Sequence, residues 1–194
     1  MTRPFAKLFS ELTKPNCMKK LLITLVTLAS LHLNATRAAE GDKFKVSEFS
    51  FTRPAKWESV QPASSMRAAQ LKVPDAKFPE GAEVVFFYFG EGGGGGTQAN
   101  VTRWFGQFAE PREEIKAKTE ETTIGKTKVT YVQAQGTYKS GPPGGAVKLL
   151  KDYALRGAVI EGEQGAVFVK LTGPVAVTEA ATADFKKMVE SGVK

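Results

Sequence analysis

The chain has 194 residues, with 27 basic and 20 acidic side chains and a formal net charge of +7. Its one histidine and one cysteine, His32 and Cys17, both lie upstream of Glu40, in a stretch with the pattern of an export signal. A mature protein without that stretch lacks the side chains most used for acid–base catalysis near neutral pH, for thiol chemistry and for transition-metal binding. It also lacks disulfides, so packing alone must hold it together.

Residues 18–38 contain the three parts of a secretory signal peptide. Met18-Lys19-Lys20 is a short basic start, residues 21–33 form a largely apolar run, and small residues lead to Ala38. Cleavage after Ala38 places small side chains at both positions that the signal peptidase requires. The apolar run is shorter than the roughly 20 residues of a membrane-spanning helix. We therefore expect a periplasmic or secreted protein with no membrane span after cleavage.

The 17 residues before Met18 do not fit the signal pattern. We interpret residues 1–17 as a misassigned upstream leader and Met18 as the true start, with a long basic leader as the alternative. Cleavage removes six basic residues and one acid, which leaves 21 basic and 19 acidic residues and a net charge of +2. Because the mature part has no basic run, nucleic acid is not an expected partner.

Residues 39–194 are long enough to bury a core and are predicted to form a single domain. The patterns predict strands at 45–51, 56–60, 66–73 and 82–89, a helix at 98–108, a polar segment at 111–123, strands at 126–138, 153–161 and 166–172, and a helix at 177–190. The contiguous apolar residues of 82–89 indicate a strand that is buried on both faces.

Both helices have an apolar stripe. In the first, Val101, Trp104, Phe105 and Phe108 follow helical spacing, and Thr97 is the predicted N-cap. The second is expected to bury Ala181, Phe185, Met188 and Val189. Hairpin-linked strands with two helices favour an α+β fold, specifically an α/β/α sandwich with a mostly antiparallel sheet.

A glycine tract, Gly90 to Gly96, joins the strongest strand to the first helix. It matches the dinucleotide-binding spacing, but the parallel strand with an acidic end that this motif requires does not follow, so we expect no cofactor. A glycine-rich turn that opens a helix can offer backbone N–H groups to an anion. We interpret the tract as a flexible connector and keep a weak ligand site as the alternative. Its candidate residues are Gly93, Gly94, Gly95, Thr97, Gln98, Arg67 and Trp104.

Arg67 lies among apolar strand residues, and a charge in a buried strand needs a partner. We favour an internal salt bridge with Glu83 or another acid over a ligand-facing arginine near Trp104. The few, scattered aspartates form no calcium loop, and no metal site is expected. The acidic pairs Glu113-Glu114 and Glu120-Glu121 are interpreted as solvated charges, although a catalytic carboxylate pair stays open.

Several motifs resemble a family of uncharacterised exported bacterial proteins. The matching segments are Pro54-Ala55-Lys56-Trp57, Ser65-Met66-Arg67, Phe87-Tyr88-Phe89-Gly90 with the glycine tract, Ala99-Asn100, Arg103-Trp104-Phe105-Gly106-Gln107-Phe108, Tyr153-Ala154-Leu155-Arg156-Gly157-Ala158-Val159 and Phe168-Val169-Lys170-Leu171-Thr172-Gly173-Pro174. The order of elements is also similar to the PsbP-type α/β/α sandwich. This resemblance implies a non-enzymatic binding or assembly role, and it implies no functional residues.

The preferred hypothesis is accordingly a non-catalytic binding or accessory module, with a protein or a small ligand of the cell envelope as partner. One alternative is a hydrolase-type enzyme that uses carboxylate, lysine or tyrosine chemistry. The other is a binder of an anion or small ligand at the glycine-rich loop.

Overall fold

The computed structural model describes residues 41–141 and 145–194. The predicted leader (1–17), the predicted signal peptide (18–38) and residues 142–144 lie outside the described residues. The elements of the described part are, in chain order, β1 (Lys43–Val46), β2 (Phe49–Thr52), β3 (Glu58–Ser59), β4 (Arg67–Val73), β5 (Ala82–Tyr88), α1 (Thr97–Phe105), β6 (Lys118–Ile124), β7 (Thr127–Ser140), β8 (Lys148–Glu161), β9 (Val167–Pro174) and α2 (Val175–Val193).

Seven of the strands form one antiparallel sheet in the order β3-β4-β5-β9-β8-β7-β6, and β1 pairs with β2 in a separate hairpin. The last long strand, β9, is therefore inserted at the centre, between β5 and β8. The predicted α+β class, with a mostly antiparallel sheet and two helices, is confirmed. A parallel β-α-β unit, which a dinucleotide site would need, does not occur among these paired strands.

Two hydrophobic clusters cover the two faces of the sheet. Helix α2 and the β1–β2 hairpin pack on one face, where Phe51, Phe86 and Phe185 are almost completely buried. Helix α1 packs on the other face through Val101, Trp104 and Phe105. The buried side chains of α2 include Ala181, Phe185, Met188 and Val189, as predicted.

The ends of several elements differ from prediction. The single strand predicted over 45–51 is a hairpin, because Ser47 adopts a left-handed φ of 54° and reverses the chain between β1 and β2. The polar segment 111–123 contributes most of an edge strand, β6, whose exposed charges are compatible with pairing on one side alone.

The first helix also differs at both ends. Thr97 is the first helical residue, and the N-cap is Gly96, which makes no side-chain capping bond. The helix ends at Phe105, because the next N–H groups, of Gln107 and Phe108, bond three residues back, to Trp104 and Phe105. Phe108 nevertheless stays buried, as the apolar stripe predicts.

The two helices cover their faces unequally. Helix α2 has 19 residues and α1 has nine, so α1 leaves part of its face of the sheet open. Within the described residues, neither helix is long and apolar enough to cross a membrane.

Candidate functional site

The candidate site begins with one charged residue on the central strand. Along β9, Val167, Val169 and Leu171 pack into the cluster beneath α2. Side chains alternate between the faces of a strand, so Lys170 projects from the opposite face, the one that α1 partly covers. It lies between Val85 of β5 and Gly157 of β8.

Trp104 of α1 lies over the strand next to Lys170. A Cβ atom on Gly157 would be 2.3 Å from Cζ3 of Trp104, so the indole occupies the space that a side chain on this strand would take. The φ of Gly157 is not in the left-handed region, so this glycine is not needed for its backbone conformation. It is needed because Trp104 approaches the strand too closely for a side chain. The arrangement places a flat apolar ring beside the base of the lysine side chain.

An apolar groove of about 600 Å³ lies in front of Trp104 and Lys170. Its apolar wall consists of Met66, Phe87, Phe89, Trp104 and Phe168. The groove adjoins a polar cavity of about 700 Å³, which Arg67, Glu83 and Tyr138 help to line. Both spaces are lined by Lys170 and Gln107, so the lysine lies where the groove and the polar cavity meet.

The ammonium group of Lys170 is held by two neutral oxygen atoms. Nζ donates to Oε1 of Gln107 at 3.2 Å and to the hydroxyl of Tyr138 at 3.1 Å. The Tyr138 hydroxyl in turn donates to the same Gln107 oxygen at 3.2 Å. Among the described residues, no carboxylate lies within 4.0 Å of Nζ.

Burial lowers the pKa of Lys170 to about 8, partly opposed by the carboxylate of Glu83 and reinforced by the charges of Arg67 and Arg103. Burial, with a smaller contribution from Glu83, raises the pKa of Tyr138 to about 12. At neutral pH the lysine is therefore mainly charged and the tyrosine is neutral. Within the described residues, the site holds a partly buried cation without an ion-pair partner.

The nearby charges do not neutralise this cation. The carboxylate of Glu83 accepts hydrogen bonds from Nη1 of Arg67 and from Nε2 of Gln70, both at 2.7 Å. The salt bridge predicted for Arg67 is thus present. Its partner Glu83 is also the carboxylate that favours the charged form of Lys170, but Glu83 is already paired with Arg67. Arg103, which lines the groove, donates to Oδ1 of Asn100. The groove is positively charged in sum.

The glycine-rich loop forms one wall of the groove, and Asn100 fixes it in place. The buried Asn100 amide donates to the carbonyl oxygens of Gly94 and Gly96 at 2.9 and 3.1 Å. Gly94 has a φ of 77°, and a Cβ there would be 2.8 Å from Cε2 of Phe168. The loop therefore needs glycine for its left-handed backbone and for its close packing on the groove.

Four of the seven candidate residues from the sequence line these two spaces. Gly94, Gly95 and Trp104 line the groove, and Arg67 lines the polar cavity. Gly94 and Gly95 directly precede the N-cap residue of α1, and Arg67 is the first residue of β4. The groove and the polar cavity that these residues line meet at Lys170.

The other three candidates lie outside both linings. The hydroxyl of Thr97 donates to Oε1 of Glu161 at 2.9 Å, so a carboxylate already lies at the first turn of α1. Gln98 is exposed and contacts Thr102. A Cβ on Gly93 would be 2.2 Å from the carbonyl oxygen of Phe89, so this glycine serves the turn.

The sequence-based prediction missed Lys170, Tyr138, Gln107 and Arg103. A signal for Lys170 was present, since a lysine interrupts the apolar strand Phe168-Val169-Lys170-Leu171 just as Arg67 interrupts its own strand. Gln107 and Tyr138 are 31 residues apart, and no local pattern connects them.

The acidic residues left open as a catalytic pair lie on the exposed surface. Glu120 pairs with Lys186 at 3.8 Å and Glu121 pairs with Lys128 at 3.2 Å, whereas Glu113 and Glu114 are exposed. In residues 41–141 and 145–194, no three His, Cys, Asp or Glu side chains are grouped as metal ligands.

No family model matches this chain, and no curated protein does either. Among solved structures, cyanobacterial PsbP (CyanoP) from Synechocystis sp. PCC 6803 is similar, with a TM-score of 0.51, 10% identity, and coverage of 81% of this chain and 94% of that chain. This likeness shows a PsbP-like fold, and at this identity it shows the fold alone.

Two further structures have lower scores. A protein of unknown function from Pseudomonas aeruginosa has a TM-score of 0.45 and 15% identity, and the match covers 80% of this chain and 98% of that one. A protein from Bacteroides thetaiotaomicron has a TM-score of 0.43 and 15% identity, with coverage of 79% and 47%.

Proposed function

We propose that this chain is an exported, non-catalytic binding module that holds a small anionic ligand in the groove beside Lys170. The observation that carries the proposal is the partly buried ammonium group, which has neutral hydrogen-bond partners and, among the described residues, no carboxylate in ion-pair contact. The proposed anion site therefore lies in the groove that the glycine loop borders, and not at the loop itself.

The energetic argument concerns the missing countercharge. Burial of an ionised group is unfavourable unless an opposite charge and hydrogen bonds compensate it. Gln107 and Tyr138 supply hydrogen bonds but no charge. A lysine has three N–H donors, of which two are used here, so the third is free for a ligand. An anion at this position would supply the charge that the protein itself does not.

The same geometry supports binding over catalysis. Tyr138 is neutral at physiological pH because its pKa is raised to about 12, so it acts as a fixed hydrogen-bonding group. General acid–base catalysis instead uses groups whose pKa lies near the working pH. Lys170 does have such a pKa, so a catalytic alternative would have to depend on this lysine and not on Tyr138.

A second candidate function is an enzyme in which Lys170 attacks a carbonyl group. The observation in its favour is the pKa of about 8, which leaves about one amine in ten unprotonated at pH 7. Incubation with a small aldehyde and borohydride would trap the imine as a stable mass increase at Lys170. Selective labelling of Lys170 over the exposed Lys148 would favour this candidate.

The binding proposal is tested by calorimetric titration with octanoate and benzoate at pH 7. We expect binding by the wild type and at least tenfold weaker binding by Lys170→Met. The matched control is Lys148→Met, which removes an exposed lysine and should bind as the wild type does. Equal affinity of Lys170→Met and the wild type, or binding of neither anion by the wild type, would overturn the proposal.

Export rests on the sequence pattern of residues 18–38. Expression of the full gene in a Gram-negative host, followed by mass spectrometry of the N-terminus, tests it. We expect a periplasmic or secreted protein that begins at Ala39. A cytoplasmic protein that retains residues 18–38 would contradict the export proposal.

A further inference from the structure

We propose that the ligand of the groove is a single-chain amphiphile, with an acidic head at Lys170 and an apolar tail along the aromatic wall. This inference rests on the proposed function, because it assumes that Lys170 receives an anion. It adds the chemical class of the ligand's tail, which follows from the apolar wall of the groove.

The aromatic wall is a continuous apolar surface. The rings of Phe87 and Phe89 are stacked, with centroids 6.3 Å apart and an interplanar angle of 11°. Phe89 also contacts Phe168, with a centroid distance of 6.2 Å. Together with Trp104, these rings extend the surface to the lysine. A flat aromatic wall of this kind packs well against a methylene chain or an aryl group.

Part of this wall is exposed to solvent. Phe89 is 45% exposed and Met66 is 59% exposed, although both residues have large apolar side chains and both line the groove. Burial of apolar surface is favourable in proportion to its area, so a ligand tail that covers these two side chains gains affinity. A small inorganic anion at Lys170 would leave them uncovered.

The charged groups of the site determine where the acidic head lies. Of the cations around the junction of the two spaces, Arg67 is already paired with Glu83. Lys170 and Arg103 have no carboxylate partner among the described residues, and both line the groove itself. An acidic head therefore belongs at the inner end of the groove, and the tail belongs on the aromatic wall. The volume of about 600 Å³ lies within the range typical of small-molecule sites.

The test is a titration of the purified protein with acetate, butanoate, octanoate and decanoate at pH 7, below micelle-forming concentrations. Each methylene that becomes buried should tighten binding about fourfold, until the groove is full. Decan-1-ol, which has the same tail and no charge, should bind at least tenfold more weakly than decanoate. Decyltrimethylammonium, which has the opposite charge, should bind more weakly still.

Two variants separate the head from the tail. Phe89→Ser removes an exposed ring of the wall and should reduce the gain per methylene without changing the affinity for butanoate. Lys170→Met should make decanoate and decan-1-ol bind equally. These results support the amphiphile, and both variants leave the folded core intact because one side chain is exposed and the other is an unfavourable buried charge.

The outcomes distinguish the two proposals. If acetate binds as tightly as decanoate and Lys170→Met abolishes both, the amphiphile is refuted and the anion site stands. If none of the anions binds, the proposed function fails and this inference fails with it. If decanoate and decan-1-ol bind the wild type equally, the groove is an unspecific apolar surface and the inference is refuted.

Discussion

The substitution Lys170→Met should stabilise the folded protein at neutral pH, although it removes two hydrogen bonds. Methionine has a similar length and no charge, so it can occupy the space of the lysine side chain at the apolar groove. The variant is expected to fold more stably and to bind ligand more weakly. A role of Lys170 in structure alone would predict the opposite sign for stability.

The magnitude follows from the pKa of the buried ammonium group. Its pKa falls from 10.5 to about 8 on folding, and each pKa unit corresponds to about 1.4 kcal/mol between the charged and the neutral state. The folded state is thus disfavoured by about 3 kcal/mol when the lysine must carry its charge. Loss of the two hydrogen bonds, to Gln107 and to Tyr138, offsets about 1 kcal/mol each. The expected gain in the free energy of unfolding is therefore about 1 kcal/mol at pH 7.

The pH dependence has a definite sign. Below pH 8 the lysine is charged in both the folded and the unfolded state, and the full penalty applies. Between pH 8 and 10.5 the folded protein loses the proton first, so the unfolded state binds more protons and wild-type stability rises with pH. The advantage of Lys170→Met should therefore disappear across this window. The raised pKa of Tyr131 affects both proteins alike and cancels in the difference. Tyr138 loses its hydrogen bond from Lys170 in the variant, so the comparison is sharpest at pH 8 and 9, below the ordinary pKa of a tyrosine.

The assay is urea unfolding followed by circular dichroism at pH 7, 8, 9 and 10, with Lys148→Met as the control. We expect a stability gap between Lys170→Met and the wild type that narrows by more than 1 kcal/mol per unit above pH 8. The free energy of unfolding of Lys148→Met should equal that of the wild type at every pH. A gap that is independent of pH, or a less stable Lys170→Met at pH 7, would refute the reasoning about the uncompensated charge.

Three further predictions follow from the same contacts. The affinity for decanoate should be constant from pH 6 to about 8 and then fall about tenfold per unit as Lys170 loses its proton; titrations at pH 7, 8 and 9 check this, and unchanged affinity at pH 9 contradicts it. Gly157→Ala places a Cβ against the Trp104 ring and should destabilise the fold by about 1–3 kcal/mol; an unchanged urea midpoint would show that the ring moves freely. Asn100→Ala removes the donor that the carbonyl oxygens of the glycine loop share and should cost about 1–3 kcal/mol; hydrogen exchange in the loop should accelerate, and unchanged protection would contradict this.

The sequence predicted the parts of the fold that depend on local periodicity. The stripe of α1 and the buried face of α2 are helical patterns, and each places its apolar residues where the structure buries them. Strand β5 is an apolar run with Val84, Val85 and Phe86 buried. Phe87, near its end, is less buried, because it lies on the face of α1 and this helix is too short to cover that end of the face. Tyr88 is on the opposite face and packs against the cluster beneath α2. Coverage depends on the length and position of another element, which a single-strand pattern does not contain.

The ends of the elements were less predictable, for physical reasons that differ from case to case. Ser47 turns the chain with a left-handed backbone that serine rarely adopts, so composition gave no sign of the hairpin. Strand β6 has polar residues on both faces because it is an edge strand, and its ladder with β7 is what makes it a strand. Neither property is visible in the local sequence.

The candidate site was predicted in part, because two of its walls are consecutive in the chain. The glycine loop and Trp104 belong to one segment, and Arg67 stood out as a charge in an apolar strand. Lys170 has the same signal in β9. Its significance depends on tertiary contacts: Gln107 follows α1 and lies 63 residues away, and Tyr138 lies 32 residues away. The insertion of β9 between β5 and β8 brings these residues together.

The unequal coverage of the sheet and the uncompensated charge are connected. A longer α1 would bury the aromatic wall and close the groove, and a carboxylate beside Lys170 would remove the penalty on its charge. The part of the chain that the structure describes has neither feature, so folding leaves an open apolar wall and a partly buried, unpaired cation at the same place. An amphiphile with an acidic head would satisfy both at once, and its binding would raise the pKa of Lys170. An anion that pairs with Lys170 would remove the free-energy penalty on its charge, and this gain would contribute to the binding free energy. A ligand that binds only the folded state would also stabilise that state.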